Sequence, residues 1–102
     1  MVEAFHLDAW LRSSEGALSA FSLSVSAPHF LEPGKFGCTI SCSHFPFDGR
    51  EFYGGNARQA MALALWLIED QLLHEGMVIV DAEDGTIDLP IDREAGVPDT
   101  RK

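Results

Sequence analysis

From Ala57 to His74 the chain has no glycine, no proline and one β-branched residue, Ile68. Alanine and leucine dominate the stretch, and both favour a helix. Asn56 before it offers an N-cap side chain, and Gly76 after it suits the left-handed turn that closes a helix. At ~1.5 Å per residue this helix is roughly 30 Å long. The segments around it carry strand and turn patterns, so one helix must do the covering for the rest of the fold.

The strand patterns are short. Phe5, Leu7, Ala9 and Leu11 alternate with His6, Asp8 and Trp10. Ala4, Leu7 and Leu11 also fit a helical face. The turn residues Ser13-Ser14-Glu15-Gly16 that follow favour a strand entering a hairpin. Between Leu18 and Ala27, Phe21, Leu23 and Val25 alternate with Ser22, Ser24 and Ser26, the pattern of a strand with one solvated face. Pro28 ends it, and 28–35 reads as a loop. Phe36, Cys38, Ile40 and Cys42 then alternate with Gly37, Thr39, Ser41 and Ser43. Phe45 to Gly49 is a turn, and Arg50 to Tyr53 a short fourth strand. After the helix, Met77–Val80 and Thr86–Leu89 flank an acidic turn at Asp81–Gly85 as a hairpin.

These elements predict an α+β fold. A three- to four-stranded antiparallel meander carries one long helix on one face, and a short C-terminal β-hairpin follows. Residues 1–90 form a single domain, and 91–102 a polar, flexible C-terminal tail.

The helix has more apolar surface than one sheet requires. Ala57, Ala60, Met61, Ala64, Leu65, Leu67, Ile68 and Leu72 fall on one broad face at ~100° per residue. Ala62, Trp66 and Leu73 form a second stripe, with Leu63 near its edge. That stripe must be covered by residues 77–90 of the same chain, covered by another subunit, or left exposed.

Charge narrows the partner classes. The 102 residues hold 7 Lys+Arg against 16 Asp+Glu, a formal net charge of −9. The bases are scattered, so nothing supports the counterion release that drives nucleic-acid binding, and an anionic membrane surface is disfavoured too. Residues 81–102 hold seven acids (Asp81, Glu83, Asp84, Asp88, Asp92, Glu94, Asp99) against three bases. They read as a solvated end or an interaction tail. The N-terminus lacks the basic and apolar regions of a signal peptide, and Ala60–Ile68, the longest low-charge stretch, is too short to span a bilayer. The expectation is a cytoplasmic protein with reduced Cys38 and Cys42.

No motif announces catalysis. Cysteines four apart on a strand are ~13 Å apart, too far for a disulfide or a shared zinc ion, and they read as core thiols. Cys42, His44 and a distant His6 or His29 lack metal-ligand spacing. No Gly-x-Ser-x-Gly elbow occurs. His74 suits the last helical turn, where positive charge is favoured. Gly54-Gly55 lacks a phosphate-loop pattern and reads as capping and tight-turn geometry. Asp81-x-Glu83-Asp84-Gly85 lacks ligands at the ends of a calcium loop. Gln59, between the two apolar faces of the helix, either orients a backbone group at the sheet edge or faces solvent, and the second reading is preferred. No catalytic residue, cofactor or metal is expected.

The pattern resembles a family of small uncharacterised bacterial α+β proteins. In these an antiparallel meander leads into a helix of the form Gly-x-x-x-x-Gln-Ala-Leu-x-Leu-Ala-Leu. Here Gly54, Gln59, Ala60, Leu63, Ala64 and Leu65 match, and Met61 stands where leucine is usual. The resemblance covers about residues 4–75 and implies a fold and a bacterial cytoplasmic origin, with no activity. The chain is more loosely similar to the partial-RNase-H-like domain of HicB-type antitoxins, with Gln59 in place of a glutamate and a longer first hairpin.

The function expected is a non-catalytic protein-interaction module of toxin-neutralising or accessory-subunit type. Its partner surface would be Ala62, Trp66 and Leu73, and the partner a protein or a second copy as homodimer. The alternative is a small-ligand-binding protein or enzyme with a pocket at the strand–helix junction near His44, Phe45, Phe47 and Tyr53.

Overall fold

A computed structural model describes residues 3–83 and 85–98. The strands are β1 (Glu3–Arg12), β2 (Leu18–Ser26), β3 (His29–Glu32), β4 (Lys35–Ser41), β5 (Glu51–Gly54) and β6 (Val78–Val80). The helix α1 (Ala57–Glu75) lies between β5 and β6 in the chain. All pairings are antiparallel. The six-stranded sheet runs β3-β4-β2-β1-β6, with β5 on the other side of β4. The architecture is α+β: one open sheet and one helix.

The expected loop at 28–35 is instead a strand and a turn. β2 and β3 pair along one edge of β4, as Val25 with Ile40 and His29 with Gly37. Between these pairs Ser26, Ala27 and Pro28 face only Cys38 and Thr39, so one extra residue forms a bulge. Pro28 has no N–H for the ladder, and a bulge tolerates that. The Ser26 hydroxyl accepts from the Thr39 N–H at 2.8 Å and fills the gap in the pairing. Pro33 and Gly34, the latter at φ 79°, hold the central positions of the turn into β4, where type II geometry places proline and then glycine. Both prolines therefore flank β3 rather than interrupt it. Phe30 and Leu31 at this hairpin end are exposed, and Phe30 meets Phe36 edge-to-face at 5.6 Å between ring centres.

One face of the sheet is the core. Leu11, Phe21, Leu23, Val25, Cys38 and Ile40 are buried there beneath Ala60, Ala64, Leu65, Ile68 and Leu72 of α1. Phe5, Leu7 and Ala9 are only partly buried against this core. The molecule measures 45 × 32 × 22 Å. The smallest dimension accommodates one helix and one sheet and nothing further, which leaves the second sheet face bare.

The helix begins in close contact with β5. A Cβ on Gly54 would lie 2.7 Å from the Ala60 Cα, so this position needs glycine for a near approach of two backbones. Asn56 Oδ1 accepts from the Gln59 N–H at 2.8 Å, and Gln59 Oε1 accepts from the Gly55 N–H at 2.6 Å. Of the two readings open for Gln59, it is the backbone-orienting one that the structure shows. Gln59 completes a reciprocal cap, with its back bond one residue earlier than in the usual capping box. At the other end Gly76 takes φ 69°, its N–H bonds to Leu73 O, and the Met77 N–H bonds to Leu72 O at 2.9 Å. This is a Schellman closure.

The C-terminal hairpin is shorter than its sequence suggests. β6 pairs with Trp10–Arg12 of β1, but its other side makes only a bridge, Val80 with Thr86. Asp81 Oδ1 accepts from the Glu83 and Gly85 N–H groups at 2.8 Å each and shapes the turn.

The chain then runs back along α1. Leu89 is buried, and Ile87 and Ile91 pack against the core. Arg93 donates to both carboxylate oxygens of Glu69 at 2.7 and 3.0 Å, and Arg58 forms a two-point ion pair with Asp92. These ion pairs attach residues 92 and 93, in the polar stretch 91–102 expected as a C-terminal tail, to the helix. Asp99 to Lys102 lie outside the described residues.

Candidate interaction surface

The second helical stripe divides into a covered part and an open part. Ala62 is 1% exposed. It lies one turn from Arg58 and two turns from Glu69 on the same side of the helix, between the two anchors of the returning segment. Trp66 is partly buried, and its Nε1 is enclosed without a hydrogen-bond partner. Leu73 remains 55% exposed. Coverage from within the chain therefore removes Ala62 from any partner surface and leaves Leu73. The covering segment extends past residue 90, into the stretch 91–102 expected as a tail.

Leu73 borders a groove. Its walls come from the last turns of α1, from Met77 and β6, and from the bridge segment after the acidic turn. Leu72, Met77, Ile79, Ile87 and Leu89 supply apolar lining, and Glu69 and Asp88 supply carboxylates. The volume is about 120 Å³. Val78, 37% exposed, lies on the lining with Leu73. The Schellman closure fixes this geometry, because it turns the chain at Gly76 and lays Met77 beside Leu72.

The residues of the alternative pocket are not brought together as one group. Phe45 is buried and stacks on Phe47 at 4.8 Å, and Phe47 meets Phe52 edge-to-face at 5.5 Å. His44 packs edge-on against Phe45 at 5.0 Å, and its Nε2 lies 2.6 Å from Glu75 Oε1. That contact ties the turn after β4 to the end of α1. Burial raises the Glu75 carboxyl, but bonds from Gln71 and His44 outweigh burial and hold it below the ordinary range. Tyr53 stands on the opposite face of the sheet, 49% exposed, with Lys35 Nζ 4.5 Å from its ring centre. Alternation along β5 separates it from Phe52.

Both cysteines are free and buried. Burial first, then the Glu51 charge, pushes the Cys38 thiol up to about 11. Burial also raises Cys42. Neither is a thiolate at neutral pH, so neither is poised as a nucleophile.

The bare sheet face holds a network that sequence reading missed. His6 Nδ1 lies 2.8 Å from Ser24 Oγ, and His6 Nε2 lies 2.9 Å from Asp8 Oδ2. Ser22 donates to Asp8 at 2.7 Å, and Ser24 donates to Glu3 at 2.8 Å. The hydrogen bond that Asp8 accepts from His6 raises His6, and the bond donated by Ser22, then that donated by His6, lowers Asp8. The β1–β2 register creates the network by setting His6 opposite Ser24 and Asp8 opposite Ser22. The two alternating patterns were visible in the sequence, but their register was not. The connectivity is that of a serine, a base and an orienting acid. Yet Ser24 is bound to Glu3, and the group stands on an open surface where water weakens its electrostatics. It serves as a cross-strand tie between β1 and β2.

Among the described residues, no group of three or more His, Cys, Asp or Glu is placed to hold a metal ion. No helix among them is long and apolar enough to cross a membrane. No family model, curated protein or solved structure matches the chain.

Proposed function

We propose that the protein is a non-catalytic interaction module, and that its partner seats one apolar side chain in the groove beside Leu73. The observation that carries this reading is the pairing of an exposed Leu73 and Val78 with an apolar-lined space of about 120 Å³. A cavity of ~150 Å³ accepts benzene, so this groove suits a leucine or a phenyl ring. Asp88 and Glu69 on the lining make it acidic. Glu69 is committed to Arg93. The partner therefore carries a basic residue beside its apolar anchor, in keeping with the net charge of −9. A small acidic subunit that masks a basic protein, as in toxin neutralisation or an accessory role, fits these features.

A photo-cross-linking side chain at Leu73, expressed in the native host, tests the reading. The expected result is one covalent adduct with a basic protein, strongly reduced by Asp88→Lys. Absence of any adduct at Leu73, or an adduct indifferent to Asp88→Lys, overturns it.

A further inference from the structure

We propose that the chain forms a two-fold dimer in which β1 pairs antiparallel with β1 of a second copy over Phe5–Ala9. β1 has two edges. β2 occupies one along its whole length. β6 occupies the other only at Trp10, Leu11 and Arg12. Among the described residues, no strand pairs with the remainder of that edge. A register shift between Glu3 and Phe5 ends the regular ladder at the other side. The open, regular stretch is Phe5 to Ala9, and its centre is Leu7.

Such an edge presents unpaired N–H and C=O groups to any strand that can match it. Long natural edges are usually blocked by proline, by inward charge or by a covering loop. This one carries Phe5, Leu7 and Ala9 on its core side, all only partly buried. The sheet stops there while its apolar face is still unfinished.

The charge pattern selects a second copy as the occupant. A two-fold axis through Leu7 sets His6 opposite the partner's Asp8, and Asp8 opposite the partner's His6. On the core side it sets the large Phe5 against the small Ala9 of the partner subunit, and Leu7 against its equivalent. The stretch is thus complementary to itself in charge and in size. Moving the axis to His6 would place two imidazoles face to face and carry pairing into the register shift between Glu3 and Phe5. Moving it towards Asp8 would collide with the pairing of β6 to Trp10. No residue lining the Leu73 groove lies on this stretch, so the dimer and the groove are separate surfaces.

The test is sedimentation velocity from about 1 to about 100 µM protein, the range in which a specific association of moderate strength is read directly. A concentration-dependent dimer is expected. His6→Asp sets Asp against Asp twice and should weaken it by about tenfold. The double exchange of His6→Asp with Asp8→His restores the pattern and should restore the dimer. Opposed Cα atoms in an antiparallel pair sit ~4.5–5.5 Å apart, within disulfide reach, so Leu7→Cys should cross-link on oxidation while His6→Cys should not. A monomer throughout the range overturns the proposal. So does a dimer that His6→Asp leaves unchanged, or one that His6→Cys cross-links in place of Leu7→Cys.

Discussion

The two ends of α1 are built from the same kinds of contact and reach opposite results. At the N-terminal end Gly54 lets the helix backbone rest on β5, Asn56 and Gln59 cap the first turn, and the Arg58–Asp92 pair fastens the returning chain. At the C-terminal end Gly76 closes the helix with equal economy, yet Leu73 stays exposed beside a groove. The difference teaches where stability and recognition part. A small residue at a close approach leaves no surface for a partner. A completed cap does nothing to cover an apolar side chain one turn before it.

Substitutions should separate the two ends by size of effect. Gly54→Ala drives a Cβ against the Ala60 backbone and should cost about 3 kcal/mol, since neither backbone can yield. A chemical denaturation midpoint reads this directly. Asn56→Ala removes one N-cap bond and should cost about 1 kcal/mol by the same measurement. Leu73→Ser should stay within about 0.5 kcal/mol, because the side chain is already largely in water, while abolishing capture of a partner at the groove. A large loss of stability at Leu73 would erase the distinction between the ends.

Acid should loosen the N-terminal fastening further. Arg58 holds the Asp92 carboxyl below the ordinary carboxylate range. A group lowered on folding contributes stability above its unfolded value and loses it as pH falls through the folded one. The contribution of this exposed pair is therefore complete at neutral pH and lost below about pH 4. Hydrogen-exchange protection over 91–97, taken relative to the intrinsic rate at each pH, should fall there in the wild type, and Asp92→Asn should show the low protection already at neutral pH.

Much of this architecture was legible in alternation alone. Phe21, Leu23 and Val25 against three serines, and the alanine- and leucine-rich run between Asn56 and Gly76, lead to the strands and helix observed. β3 was hidden because proline was read as a terminator, while the bulge at Ser26–Pro28 turns it into a joint. The returning segment was hidden for a related reason. Asp92 and Arg93 look like tail residues, and their partners Arg58 and Glu69 are distant in sequence. The aromatic cluster was read as a pocket wall because a sequence shows which rings are near one another, not that Phe45 and Phe47 stack. The His6 network needed the β1–β2 register, which a serine-rich strand leaves open.

The pairing of β1 with β6 has a consequence in time. The first strand finds its final neighbour only in the last one, after the meander and the helix have been laid down. Contacts between such distant segments are slow to form, because loop closure comes before any gain from pairing. A chain leaving the ribosome therefore carries the whole second edge of β1 unpaired until Val78–Val80 emerges. The pairing of β6 is also what retires Trp10–Arg12 from aggregation.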